Sequence, residues 1–193
     1  MSRRATIPNI VVRRLYPSDQ EEILSHFRRL DGPSRRARFC GAIKDEGVIR
    51  YVANIFSDSS ILCGAFIDGH LRGVVELRGV SHFWASTAEA AFTVEAGWQN
   101  AGMGDALFDH IIAIARNRRV ARIQMSCLKE NLPMQHLAMK HNATLEYDCD
   151  IVEAVLRPNR PSPSSVAKEI IGEFERFGQI ARRYAATHSS AAN

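Results

Sequence analysis

Gln99-Asn100-Ala101-Gly102-Met103-Gly104 is where residue types and spacing in this chain come closest to chemistry. Ala88 to Val94, just before it, combines small, β-branched and aromatic residues and reads as a strand. After it, Leu107, Phe108, Ile111, Ile112, Ile114 and Ala115 recur at helical spacing. A strand, a glycine turn and a helix start therefore follow in direct succession. The first N–H groups of such a helix lack intrahelical acceptors, and Gly102 and Gly104 carry no Cβ to hold a ligand off the backbone. The result is an anion cradle suited to a pyrophosphate. Two commoner phosphate loops fail the comparison: a dinucleotide fingerprint needs glycine where Leu107 stands, and the Gly-Lys-Ser/Thr of a Walker loop is absent.

The segment Glu89 to Gly104 resembles motif A of the GNAT acetyltransferase superfamily: Gln or Arg, two residues, Gly, one residue, then Gly or Ala, after a strand and opening a helix. Gln99, Gly102 and Gly104 fill those places, and Asn131 followed by the helical run Met134 to Lys140 looks like motif B. Upstream, Val11 to Asp19 and Leu30 to Phe39 look like the first strand and helices of the branch that includes the acetyltransferase domains of bacterial protein lysine acetyltransferases. The similarity spans roughly residues 9 to 156. It implies an α/β (α+β) GNAT fold, a central twisted mixed sheet of about six to seven strands flanked by helices.

The resemblance also implies the chemistry, which is direct transfer of an acetyl group from acetyl-CoA to a primary amine. The acceptor is a protein lysine or, in the alternative, a small molecule; an acyl-CoA-binding sensor without activity is the non-enzymatic reading. The pyrophosphate of coenzyme A is expected on the N–H groups of Gln99, Asn100, Ala101, Gly102, Met103, Gly104 and Asp105. A strand N–H at Val94 or Glu95 is expected to polarise the thioester oxygen. Asn131 either bonds the pantetheine arm or simply caps its helix. An amine with a pKa near 10.4 needs a base at neutral pH, and Glu89 holds the position of the family's general-base glutamate. Its strand face is shared with Ala91 and Thr93, so an inward carboxylate in a half-apolar cleft is expected. Two departures stand out: Asn100 follows Gln99 where many relatives carry Arg, and Ala138 replaces the motif B tyrosine that protonates the leaving thiolate. Tyr147, Ser126, water, or no acid at all remain open for that role, and Ser81 and His82 are candidates to face the acceptor.

The elements that must position these groups are legible in outline. Strands are expected over Ile10–Leu15, Ile61–Ile67, Leu71–Leu77, Ala121–Cys127, Thr144–Tyr147 and Ile151–Leu156, with Asp68-Gly69 forming a tight hairpin. Helices are expected from Ser18, with Glu21 completing a capping box, and over about 34–41 and 46–54. Asn142 sits where a left-handed residue should end the motif B helix. Residues 1–157 form the catalytic domain, 158–165 a Pro/Ser linker, 166–186 an amphipathic helix and 187–193 a disordered tail. The helix stripe Val166, Ile170, Phe174, Phe177, Ile180, Ala181 and Tyr184 must be buried, on its own domain or against another subunit as a homodimer.

With 193 residues, 46% hydrophobic and 24% charged, the chain suits a single α/β core. The formal charge of +4 comes from scattered arginine pairs rather than a long basic run, which argues against nucleic acid as a partner. Cys40, Cys63, Cys127 and Cys149 lack metal-site or redox spacing and read as thiols in a reducing compartment. No His-Glu-x-x-His occurs, and no metal is expected. Without a signal-like or membrane-spanning apolar run, a cytoplasmic location is expected.

Overall fold

Asp68 and Gly69 both have positive φ (50° and 78°), and this turn joins β2 (Ser60–Ile67) to β3 (His70–Arg78) in an antiparallel hairpin. The computed structural model describes residues 9–80 and 87–189. Within them, seven strands form one sheet in the order β1-β2-β3-β4-β5-β7-β6. The others are β1 (Val11–Leu15), β4 (Thr87–Val94), β5 (Arg122–Leu128), β6 (Thr144–Asp148) and β7 (Ile151–Leu156). All neighbours are antiparallel except β4 and β5. The mixed, helix-flanked sheet is the expected fold class.

Helices cover both faces. On one, α1 (Gln20–Arg29), α2 (Gly32–Phe39) and α3 (Asp45–Ala53) accompany a core of Leu15, Ile23, Phe27, Val48, Val52, Leu62, Phe66 and Val74. On the other, α4 (Met103–Asn117) drives Leu107, Phe108, Ile111 and Ile114 against Cys63, Val75, Leu77, Ala88 and Ala90; α5 (Leu132–Lys140) lies beside it. Asn142 ends α5 at φ 64°. Among the described residues no helix is long and apolar enough to cross a membrane. All four cysteines are free thiols; Cys63 and Cys127 are buried, and Cys40 and Cys149 are exposed.

Two local expectations are corrected. Ser18 and Glu21 do not form the capping box; a 3-10 turn over Pro17–Asp19 precedes α1, and the Asp19 carboxylate accepts the Tyr16 N–H at 3.0 Å. That carboxylate also receives two hydrogen bonds from Arg13, at 3.0 and 2.9 Å, so Arg13 is a buried, forked ion pair and not part of a solvated basic surface.

The C-terminal helix α6 (Pro163–Ser189) begins within the stretch read as a linker and reaches into the stretch read as a tail. Its first half packs on its own domain, with the face opposite to the expected one. Buried Ser165 donates to Asn117 Oδ1 at 2.6 Å, and Glu169 accepts from Asn117 and Arg118 at 2.7 and 2.8 Å. Tyr16 donates to Glu173 at 2.8 Å, and Gly172 lies so close to His110 that a Cβ would stand 2.5 Å from Cε1.

Gly64 has the tightest of the sheet contacts: a Cβ there would stand 2.5 Å from Leu71, 2.9 Å from Leu15 and 3.0 Å from Phe66. Gly64→Ala is expected to overpack this core and destabilise the fold by ~1–3 kcal/mol in urea unfolding. Gly97→Ala, where a Cβ meets nothing within 4 Å, is the control and is expected to change stability by no more than ~0.5 kcal/mol. Equal effects of the two would contradict the packing account.

Candidate functional site

β4 pairs with β3 through six residues, Glu89 to Val94, but with β5 through three, Thr87 to Glu89. Beyond Glu89, β5 leaves to follow β7, and a gap opens along the second half of β4. The Glu95 N–H donates to the Arg72 carbonyl at 3.0 Å, so the odd-numbered residues of β4 bond β3. By the two-residue alternation of a ladder, the N–H groups of Phe92 and Val94 point the other way, into the gap. Of the two strand amides expected from the sequence, Glu95 is therefore engaged with β3 and Val94 faces the opening.

The turn that follows stands at the carboxyl end of β4, where open α/β sheets bind ligands. Gly102 caps α4 at φ 81°, and Asn100 also has positive φ, 59°. The first helical hydrogen bond runs from Ala106 N–H to Gly102 carbonyl, at 3.0 Å. Met103, Gly104 and Asp105 N–H groups accordingly have no acceptor within the helix. A Cβ on Gly102 would meet nothing within 4 Å, so this glycine serves the left-handed turn; at Gly104 a Cβ would press Leu137 of α5 at 3.2 Å. The missing side chain at 104 thus lets the two helices approach each other, in addition to clearing the backbone. Gln99 does not offer its N–H, which donates to Ala96 at 3.4 Å. Its side-chain amide donates to the Val94 carbonyl at 3.1 Å and holds the turn against the strand end.

Asp105 sits near the open N–H groups, yet its carboxylate is drawn aside by Lys140 at 2.9 Å and His141 at 3.3 Å. His141 in turn stacks on Phe108 (4.3 Å between centroids), and Phe108 on Phe92 (5.1 Å, 8° between planes). This stack ties the half of β4 that β5 has left to α4 and α5. Asn131 accepts the Met134 N–H at 3.3 Å, the geometry of an N-cap.

Two buried polar knots lie on the opposite face, and the sequence reading missed both. At the end of β4, the Glu95 carboxylate receives His26 Nδ1–H at 3.1 Å, Arg29 Nε–H at 2.9 Å and Arg72 Nη1–H at 2.9 Å. Burial alone would raise the Glu95 carboxyl; the bonds from His26, Arg29 and Arg72 outweigh it and lower its pKa to about 2. Burial lowers the His26 pKa; its Nδ1 faces Glu95, and its Nε2 stands 2.9 Å from the Thr93 hydroxyl, which also reaches the Val74 carbonyl at 3.4 Å. Four register positions back along the same ladder, opposite Ala91, buried Glu76 on β3 accepts from Arg38 of α2 at 2.9 Å, Arg78 at 2.7 Å and the Tyr51 hydroxyl of α3. Burial raises the Tyr51 pKa and keeps that hydroxyl a donor. His26 was hidden because it falls within the apolar stripe of α1, between Ile23 and Phe27; Glu76 was hidden in the run Val74-Val75-Glu76-Leu77.

Glu89 shares its face with Ala91 and Thr93, as expected. It is exposed, however, not set in a half-apolar cleft, and it stands near the start of the strand. It lies in register between Arg78 on β3 and Gln124 on β5. Gln124 donates to Glu153 at 2.9 Å, and Ser126 pairs in register with Glu153, which pairs with Glu146. Ser126 and Tyr147 are exposed, and the Tyr147 hydroxyl donates to Gln135 at 3.4 Å. Ser81 and His82 lie outside the described residues. A cleft of about 650 Å³ lined by Arg116, Arg119, Val120 and Pro158 to Pro161 opens at the far end of α4, away from the gap. Among the described residues no group of three His, Cys, Asp or Glu side chains is placed to hold a metal ion.

The model of the Acetyltransferase (GNAT) family matches residues 21–142. Among solved structures, the GNAT domain of S. lividans PAT is similar at 22% identity and a TM-score of 0.66, over 81% of this chain and 99% of that one. Spermidine N-acetyltransferase from Vibrio cholerae, in complex with CoA and spermine, is similar at 15% identity and 0.62, over 77% and 95%. The PaiA N-acetyltransferase from Thermoplasma acidophilum, in complex with coenzyme A, is similar at 17% identity and 0.59, over 77% and 99%. At these identities the structures share a fold with this chain.

The Glu95 knot makes a signed prediction. A carboxyl held near pKa 2 against an ordinary 4.5 contributes stability that is present above about pH 4.5 and is lost as the pH falls toward 2. The stability gap between the wild type and Glu95→Gln is expected to be full at pH 7 and 5 and to narrow at pH 3, in urea unfolding. A gap of constant size would show that the ionised carboxylate is not what matters.

Proposed function

Because the chain belongs to the acetyltransferase (GNAT) family, we propose that it is an acetyl-CoA-dependent N-acetyltransferase that passes the acetyl group directly to a primary amine, of the protein-lysine kind. The observation that carries this reading is the gap between β4 and β5, with strand amides turned into it and a helix N-terminus standing at its end. Acetyl-CoA supplies an activated thioester. The N–H groups of Asn100 to Asp105 would hold its pyrophosphate with the favourable end of the α4 dipole, and the withdrawal of the Asp105 carboxylate toward Lys140 and His141 eases that contact. The open edge of β4 would take the pantetheine arm as an added strand, and Asn131, at the head of α5, would border it. Val94 N–H would bond the thioester oxygen and stabilise the negative charge that develops as the amine attacks. Residues 1–157 carry this machinery as the catalytic domain.

Glu89 would accept the proton that the attacking nitrogen loses. The bond formed is nitrogen to carbonyl carbon, the bond broken is carbon to sulfur, and a thiolate with a conjugate-acid pKa near 8.5 departs without needing a dedicated acid. That accommodates Ala138 in place of tyrosine. Transfer through a cysteine is disfavoured, since burial pushes the nearby Cys127 thiol up and keeps it protonated. The polar and acidic side chains around Glu89 on the open sheet face, Gln124, Ser126, Glu146 and Glu153, suit an acceptor that arrives as a cation.

Thiol release from acetyl-CoA in the presence of a lysine peptide tests the reading, and binding without release would favour the sensor alternative. Glu89→Gln is expected to lower turnover about 100-fold at pH 7. Its rate should then climb about tenfold per pH unit to pH 9 with the free-amine fraction, while the wild type changes far less. Acetyl-CoA affinity should be unchanged. Parallel pH profiles would remove Glu89 as the base.

A further inference from the structure

The cleft at the far end of α4 carries positive charge that the acetyl transfer does not use. Arg116, Arg119 and Arg160 line its volume of about 650 Å³ beside Val120, Pro158 and Pro161, and no Asp or Glu lines it. Arg118, between the first two in sequence, is held by Glu169 at 2.8 Å. The three that line the cleft make no hydrogen bond or ion pair from their guanidinium groups among the described residues. No Asp or Glu falls outside those residues, so the chain keeps no further carboxylate side chain to neutralise them. Arg116 Nε is moreover buried without an acceptor. An unpaired buried donor is costly, and an acceptor brought by a ligand removes that cost. Arg119 adds a second sign. It ends α4 in a Schellman motif at φ 56°: its N–H donates to the Arg116 carbonyl at 2.9 Å, and the Val120 N–H donates to the Ala115 carbonyl at 3.0 Å. Glycine is the usual residue at that left-handed position, so an arginine there serves the cleft and not the turn.

We propose that this cleft binds a phosphorylated small molecule of nucleotide size, at a site separate from the α4 turn. Guanidinium forks match phosphate oxygens in pairs, and three of them balance the charge of a diphosphate. The carbonyls at this end of α4 do not oppose an anion, since Ile114, Ala115 and Arg116 accept from the N–H groups of Arg118, Val120 and Arg119. A volume of about 650 Å³ is that of a small-molecule pocket and more than a bare phosphate ion fills. The apolar wall of Val120, Pro158 and Pro161 suits the organic part, and the two prolines stiffen the segment that leads from β7 to α6. The Gly102 turn stands at the opposite end of the same helix, roughly 20 Å away along α4. One site can therefore be filled while the other is occupied.

Titration of the ¹⁵N-labelled full chain with adenosine diphosphate, with coenzyme A in excess to occupy the α4 turn, tests this. Saturable shifts are expected at the Val120, Asn159 and Arg160 amides, with a dissociation constant below about 1 mM and at least ~10-fold lower than that of inorganic pyrophosphate. The cleft is read on its own amides whether or not coenzyme A binds. Arg116→Gln and Arg160→Gln are each expected to weaken binding at least ~10-fold with an unchanged circular dichroism spectrum. Arg119→Gly should weaken it similarly without lowering Tm, because glycine suits the left-handed position. No saturable shift, shifts confined to Asn100 to Asp105, pyrophosphate binding as tightly as the nucleotide, or an affinity indifferent to the three substitutions would each overturn the proposal.

Discussion

β4 cannot keep both neighbours. β3 follows it to its end, while β5 is committed to six residues of β7 and parts from it after Glu89. Everything that makes this molecule look like a catalyst follows from that divergence. Among the described residues it leaves a strand edge whose amides have no partner in the sheet, where protein interiors ordinarily pair such groups. The same divergence leaves room at the strand's carboxyl end for the Gly102 turn and the bare N–H groups of α4. Unpartnered donors in two places, converging on one opening, are poor for stability and well suited to an anionic, amide-containing ligand.

An open edge must be held open. Behind it the β3 ladder fixes the strand, and beside it the Phe92, Phe108 and His141 rings clamp it to α4 and α5. At its end the Glu95 carboxylate gathers His26, Arg29 and Arg72, drawing α1 and β3 onto the residue next to Val94. The Glu76 knot does the same for α2 and α3. Buried ion pairs of this kind contribute little net stability, because desolvation offsets much of their attraction. What they add is geometry: each carboxylate accepts three bonds from fixed directions, which pins the β3–β4 backbone and the helices above it without filling the gap. Preorganised donors of that sort are what a developing oxyanion requires.

The parts of this arrangement that local chemistry dictates were legible in the sequence. Asp68-Gly69 and Asn142 announce positive φ by residue type, and the strand, glycine turn and helix at 88–115 announce the cradle. Burial of charge was not legible, because it depends on partners distant in the chain. Arg13 looked like half of a solvated arginine pair until Asp19 met it, and His26 looked like one more member of an apolar stripe until Glu95 and Thr93 faced it. Glu89 shows the limit in the other direction: alternation assigns its face correctly but does not decide its exposure. The same holds for α6, where periodicity identifies a stripe and says nothing of which side the domain will take.

The central claim is that amides of the diverging strand and of the α4 turn grasp the acyl donor. Amide NMR of the ¹⁵N-labelled chain titrated with acetyl-CoA tests it most directly. Saturable shifts concentrated at Phe92, Val94 and Asn100 to Asp105 are the result this account predicts. Saturable binding that leaves those amides unmoved, or no binding at all, would contradict it.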